Sequence, residues 1–199
     1  EKDLTEAVKW FEVGASKRHL SSMIRLAGCL ESGAGIEKDT DKAMSWYRLA
    51  AEAGSAATQM RLGSYYDNGI WVVSDQAEAL KYYRMAAEQG HADAQYNLGI
   101  KYARGEGVDE DQSQASYWIL QAAQGGSPKA QELLAYRYLD GIGLPQSDTE
   151  AYFWLLIRSM DANAPMKSLR DKTEKKLSRA LVNQVQERAD RWVEKLTGP

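Results

Sequence analysis

The chain has 199 residues, 44% apolar and 27% charged, which fits an ordinary globular protein of one or two domains and excludes a disordered one. Its 25 basic and 28 acidic residues leave a net charge of −3, which disfavours a protein that lives on nucleic-acid phosphates. A single cysteine excludes an internal disulfide framework and any zinc site built from several cysteines. No apolar run approaches the roughly 20 residues needed to cross a bilayer. The longest, Ala151 to Ile157, fits a buried helix. The chain opens on Glu1 with no basic-then-apolar leader, so it is expected to be processed or cut from a longer protein.

Set in rows of 36, the sequence falls into register from Asp3 to about Ala162 without insertion or deletion. Ala7, Ala43, Ala79, Ala115 and Ala151 share one column, and Trp10, Trp46, Tyr82, Trp118 and Trp154 another. Leu26, Leu62, Leu98 and Leu134 form a third, Gly33, Gly69, Gly105 and Gly141 a fourth. Asp3, Asp39, Asp75 and Asp111 form a fifth, continued by Ser147.

In chain order, the spacing predicts a lone second helix over about Asp3 to Ala15, followed by about four helix pairs. The row His91 to Gly126 is representative. Ala94, Leu98 and Tyr102 lie four apart on one helical face, and Ala115, Trp118, Ile119 and Ala122 mark a second helix. Gly105 to Val108 allows the tight turn between them. Gly54, Gly90 and Gly126 close second helices at positions suited to positive φ. Second helices open on a capping-box pattern: Asp3 with Glu6, Asp75 with Glu78, Asp111 with Gln114 and Ser147 with Glu150. Asp39 is followed by Lys42 and lacks it. From Asn163 the register fades. Leu177, Leu181, Val185, Ala189, Trp192 and Leu196 still form an apolar stripe, as expected of a C-terminal capping hairpin. Residues 1–162 are thus expected to form the repeat array and residues 163–199 its cap.

Several helix-pair repeats share this plan. Ankyrin units carry T-P-L-H, absent here, and tetratricopeptide units run to about 34 residues. Ala92 to Tyr102 nevertheless looks like a tetratricopeptide first helix. The combination of Leu98-Gly99, Tyr102, the Gly105-Glu-Gly-Val108 turn, Asp111, Ala115, Trp118 and Ala122-Ala123 resembles the Sel-one-like repeats (SLR), as do Trp46-Tyr47 and Ala50-Ala51-Glu52-Ala53-Gly54. Departures are Arg18 for the closing glycine, a shifted small residue at Ala27-Gly28, Trp71 for the second turn glycine, and no cysteine pair per repeat. The resemblance implies an all-α fold, a right-handed α-solenoid of 36-residue helix-turn-helix repeats with a C-terminal capping helical hairpin. It also implies a non-catalytic scaffold or adaptor that binds other proteins. In bacteria many such adaptors are exported, which favours periplasm or envelope over cytoplasm.

Enzyme chemistry finds little support. The G-x-G turns follow a helix rather than a strand and lack a third glycine, so they do not make a dinucleotide loop. His19 and His91 lie 72 apart in one column and form no zinc pattern, and no metal or cofactor is expected. Neither G-x-S-x-G nor S-x-x-K occurs. Cys29 shares a column with Tyr65, Lys101 and Arg137, is expected to be partly exposed, and has no thiolate-stabilising neighbour in sight. The five basic and two acidic residues from Arg170 to Arg179 fit a solvated face of the cap better than a lipid or RNA patch.

A solenoid presents a concave surface lined by first helices. The residues offset from the packed columns should face it: Asp93, Tyr96, Ile100 and Arg104 in the third full unit, with Ala57, Met60, Ser64 and Asn68 one period earlier. One period later come Lys129, Glu132, Tyr136 and Asp140, and the first unit offers Ser21, Ile24, Gly28 and Ser32. Apolar anchors mixed with hydrogen-bonding groups suit an extended peptide or an inserted helix, unless the next first helix covers them. Trp71, alone in a glycine column, is either an exposed contact or folds back over its own loop. No small-molecule substrate is expected. An RNA-binding helical repeat is the alternative, but Arg104 and Lys129 are outnumbered by Asp93, Glu132 and Asp140.

Overall fold

The apolar columns become helix interfaces. The computed structural model describes residues 2–159 and 166–197, which form an all-α repeat fold of eleven helices. α1 (Lys2–Ser16) comes first and packs on the helix that follows it. Four pairs follow: α2 (Leu20–Ser32) with α3 (Thr40–Glu52), α4 (Ala56–Asn68) with α5 (Gln76–Glu88), α6 (Ala92–Arg104) with α7 (Gln112–Gln124), and α8 (Pro128–Asp140) with α9 (Asp148–Ser159). α10 (Lys167–Glu174) and α11 (Arg179–Thr197) complete the order.

The helices group into two compact units, Glu1–His91 and Ala92–Pro199. In the first, Val8, Leu26, Leu30, Ala43, Tyr47, Leu62 and Tyr82 belong to one core cluster. In the second, Ile119, Ala122, Leu134, Tyr152, Trp154, Val185 and Ala189 do. Leu62, Leu98 and Leu134, one column, are each 0% exposed. Burial of such a side chain stabilises by ~1.5–3 kcal/mol.

Glycine at Gly63 and Gly99 is a matter of close approach. A β-carbon at Gly63 would lie 2.5 Å from the Tyr83 ring, and one at Gly99 would lie 2.7 Å from Ile119. Glycine inside a helix costs about 1 kcal/mol of helix propensity. Here it lets the paired helix seat a large side chain against bare backbone.

The turns repeat their backbone conformation. First helices end on a left-handed residue, Gly33 at φ 76°, Gly69 at 66°, Gly105 at 66° and Gly141 at 69°. The N-terminal caps keep one half of the capping box expected, the N-cap side chain accepting from the third-position N–H at Asp75, Asp111 and Ser147, and replace the other half. Asp39, without its box partner, still accepts from Lys42 N at 2.9 Å. Asp75 accepts from Ala77 N and Glu78 N, and Asp111 from Ser113 N and Gln114 N. The cap's own N–H goes elsewhere. Asp39 N donates to Leu30 O, Asp75 N to Tyr66 O, Asp111 N to Tyr102 O and Ser147 N to Tyr138 O, at 2.8–2.9 Å. A first-helix carbonyl therefore takes the donor that a capping box gives to its third-position side chain. Asp3 lies inside the first turn of α1 rather than before it.

At the C-terminal end α10 and α11 pack on α9. Trp192 meets Trp154 and Phe153 edge-on at 6.0 and 6.4 Å, and Arg188 lies 4.1 Å over the Phe153 ring while pairing with Glu150. Val182 packs toward the core where Leu181 was expected, and Leu181 is exposed. The expected boundary at residue 162 and the side chain of Leu196 lie outside the described residues.

Candidate partner-binding surface

Each first helix buries one face and opens another. On α4, Thr58, Gln59, Leu62, Gly63 and Tyr65 are buried, whereas Ala57 and Asn68 are exposed and Met60 and Ser64 half-buried. The Asn68 amide donates to Ser64 O at 2.8 Å, and its second neighbour is Ser64 Oγ at 3.4 Å. On α2 of the same unit, Ser21 and Ser32 are exposed, and Ile24 packs partly on the core.

In the second unit, α6 exposes Asp93 and Arg104, with Tyr96 and Ile100 half-buried. Tyr96 rests partly on the core of that unit, so its ring has one packed side and one open side. Arg104 lies 3.6 Å from Glu106. On α8, Lys129, Tyr136 and Asp140 are exposed and Glu132 half-buried. Tyr136 is 43% exposed, and its hydroxyl reaches Met166 Sδ at 3.8 Å.

Trp71 is half-buried, not a projecting contact. It takes the left-handed slot that Gly35, Gly107 and Gly143 fill elsewhere, at φ 58°, a conformation unfavourable to a side chain with a β-carbon. Its ring folds back to 5.1 Å from Tyr65 and packs on the core of the first unit.

The polar column behind these stripes is more buried than its sequence suggests. Tyr65, Lys101 and Arg137 are 8%, 4% and 6% exposed. Each is satisfied differently. Tyr65 donates to Glu31 Oε1 at 2.9 Å, and Glu31 also accepts from Tyr47 and from Arg61 at 2.9 Å. Burial first, then the bond to Glu31, pushes the Tyr65 hydroxyl up to about 12; the Tyr47 hydroxyl is raised for the same reasons. Lys101 pairs with Glu106 at 2.7 Å. Arg137 donates to Ser116 Oγ, to Gln112 Oε1 and O, and to Ile142 O, all neutral, and burial lowers its pKa. Cys29, first in this column, is half-buried, and burial raises its pKa, which keeps it a thiol.

These networks were not foreseen from the residues. A signal existed for one of them: Glu31 with Tyr47 recurs 36 residues on as Asp67 with Tyr83, and Tyr83 donates to Asp67 at 3.3 Å. Among the described residues no three His, Cys, Asp or Glu side chains converge as metal ligands. No described helix is long and apolar enough to cross a membrane.

Comparison with known proteins places this geometry. The Sel1 repeat model matches residues 1–19, 20–55, 56–91, 92–127 and 128–157, so its unit boundaries coincide with the starts of α2, α4, α6 and α8. No curated protein sequence matches significantly. Among solved structures, a protective antigen of uropathogenic Escherichia coli strains, displaying an SLR fold, is 31% identical with a TM-score of 0.76 over 95% of this chain and 41% of its own. The chain thus spans about two fifths of that protein's length. A Sel1 repeat protein from Oxalobacter formigenes is 28% identical, with a TM-score of 0.74 over 96% of this chain and 80% of its own. Cysteine rich protein B of Helicobacter pylori is 28% identical, with a TM-score of 0.52 over 67% of this chain and 96% of its own. With five consecutive matches on the helix-pair period that the turns and caps obey, the chain belongs to the Sel1 repeat family.

Proposed function

We propose that the chain is a non-catalytic interaction scaffold that holds a peptide or protein partner on the open stripes of its first helices. One observation carries this reading. Tyr136 is held 43% exposed on a helix whose other face is fully packed, beside Glu132 and Asp140, which can orient a partner's polar groups. Tyr96 and Ile100 repeat the arrangement on α6, and Met60, Ser64 and Asn68 on α4. Membership of a family built for protein interaction supports the same role. In this reading residues 1–162 are the binding array and residues 163–199 its closing helices.

The test is the double variant Tyr96→Ala with Tyr136→Ala. Wild type and variant serve as bait for soluble and envelope fractions of a source-organism extract. The expected result is a protein retained by the wild type and lost by the variant, with helicity retained by circular dichroism. Collapse of helicity would make those tyrosines structural. A salt-dependent shift of RNA in place of a captured protein would replace the proposal with nucleic-acid binding.

A further inference from the structure

The first helix pair has a cleft where the second has a side chain. In the second pair the Tyr66 ring stacks on Tyr82, centroids 5.7 Å apart and planes within 10°. The Tyr66 hydroxyl accepts from Arg48 Nη2 at 3.0 Å and Nε at 3.3 Å. One period earlier the three positions hold Leu30, Trp46 and Glu12. The stacking surface is kept, since Trp46 replaces Tyr82. The ring is gone, since Leu30 replaces Tyr66. The group at the hydroxyl end has changed from a donor to an acceptor.

What remains is an opening of about 600 Å³ floored by Leu26, Leu30, Ile36 and Trp46, with Glu12 on its wall. Such a volume falls within the range of about 300–1,000 Å³ usual for ligand pockets. Leu26, Ile36 and Trp46 are the counterparts of Leu62, Val72 and Tyr82; Tyr82 carries the Tyr66 stack, and Leu62 and Val72 belong to the core on which Tyr66 packs. At the rim, Lys42 is held by Asp39 at 2.9 Å. Lys38 also lines the opening, but among the described residues no ion pair joins it to Glu12.

We propose that this cleft binds a tyrosine side chain of a partner polypeptide, its ring stacked on Trp46 and its hydroxyl donating to Glu12. The second pair supplies the template for the ring, and the carboxylate supplies the complement for a phenolic donor. Aromatic stacking of this kind is a directional addition to simple apolar burial. The site shares no residue with the first-helix stripes and so extends the scaffold reading to a separate surface.

The test is a titration of the chain with N-acetyl-tyrosinamide, followed by shifts of the Ile36 methyl and Trp46 indole resonances. Saturable shifts are expected. N-acetyl-phenylalaninamide and the Glu12→Gln variant should each bind about tenfold more weakly, as expected for loss of a hydrogen bond to a charged acceptor. O-phosphotyrosinamide, which brings an anion to Glu12, should not bind. Leu30→Tyr, which fills the cleft with the residue of the next repeat, should abolish the shifts and raise the melting temperature. Should that variant fail to fold, Glu12→Gln, an exposed change, decides the matter. Tyrosinamide and phenylalaninamide binding equally, N-acetyl-argininamide binding more tightly than either, or no saturable shift with tyrosinamide would each overturn the proposal.

Discussion

The two compact units meet one structural demand with different chemistry. Tyr65 on α4 and Arg137 on α8 stand at the same place in the repeat and are both buried. The first unit surrounds a carboxylate, Glu31, with Tyr47, Arg61 and Tyr65. Charge there is balanced within the cluster. The second unit sets a guanidinium among neutral oxygens of Gln112, Ser116 and Ile142. Its charge has no carboxylate partner among the described residues, and burial lowers its pKa in consequence. The repeat dictates the backbone and which positions turn inward. It does not dictate how a polar group placed there is satisfied, only that it must be.

The largest expected effects test what the units share. Leu62→Ala and Leu134→Ala each empty a fully buried site and should each cost ~2–5 kcal/mol, read by chemical denaturation. A clear inequality would show that one unit collapses around the cavity better than the other. The next test addresses what divides them. Arg137→Ala strips its donors from two carbonyls and should cost about 2–3 kcal/mol. Tyr65→Phe leaves Glu31 bonded to Tyr47 and Arg61, and should cost about 1 kcal/mol. Equal losses would erase the contrast between a balanced and an unbalanced network.

A smaller pair returns to a shared device. Asp75→Ala and Asp111→Ala each remove a cap that accepts from two N–H groups, and should each cost about 1 kcal/mol. The smallest effect at neutral pH concerns the first unit alone. The Tyr65 hydroxyl is raised from an ordinary 10.0 to about 12, so the folded state holds its proton more tightly than the unfolded chain. Its contribution is complete below pH 10 and is lost as pH climbs toward 12. Melting temperatures across that range should fall less steeply for Tyr65→Phe than for the wild type.

Much of this was legible beforehand, in particular places. The glycine column and the Ala and Leu columns predicted the turns and the packed faces, because a 36-residue unit must bury the same side chains each time. Trp71 left two readings open, and the contact with Tyr65 chose between them. Asp39 lacks the box partner, and the structure shows that its side chain caps the helix alone and that Leu30 O takes its N–H. Cys29, Tyr65, Lys101 and Arg137 read as a partly exposed column because three of them are polar or charged. Three of the four are buried instead, since partners from neighbouring helices (Glu31 for Tyr65, Gln112 and Ser116 for Arg137) or from the following turn (Glu106 for Lys101) offset the cost.

By itself the sequence determined the period, the helix pairs, the inward faces and the family, because each follows from spacing within one helix or from recurrence of one unit. Only the tertiary structure decided which polar groups are enclosed and by what, and whether a missing ring leaves room. Tyr65 meets Glu31 across 34 residues, and Arg137 meets Gln112 across 25. Separations of that order are set by how helices pack, and local pattern does not encode them.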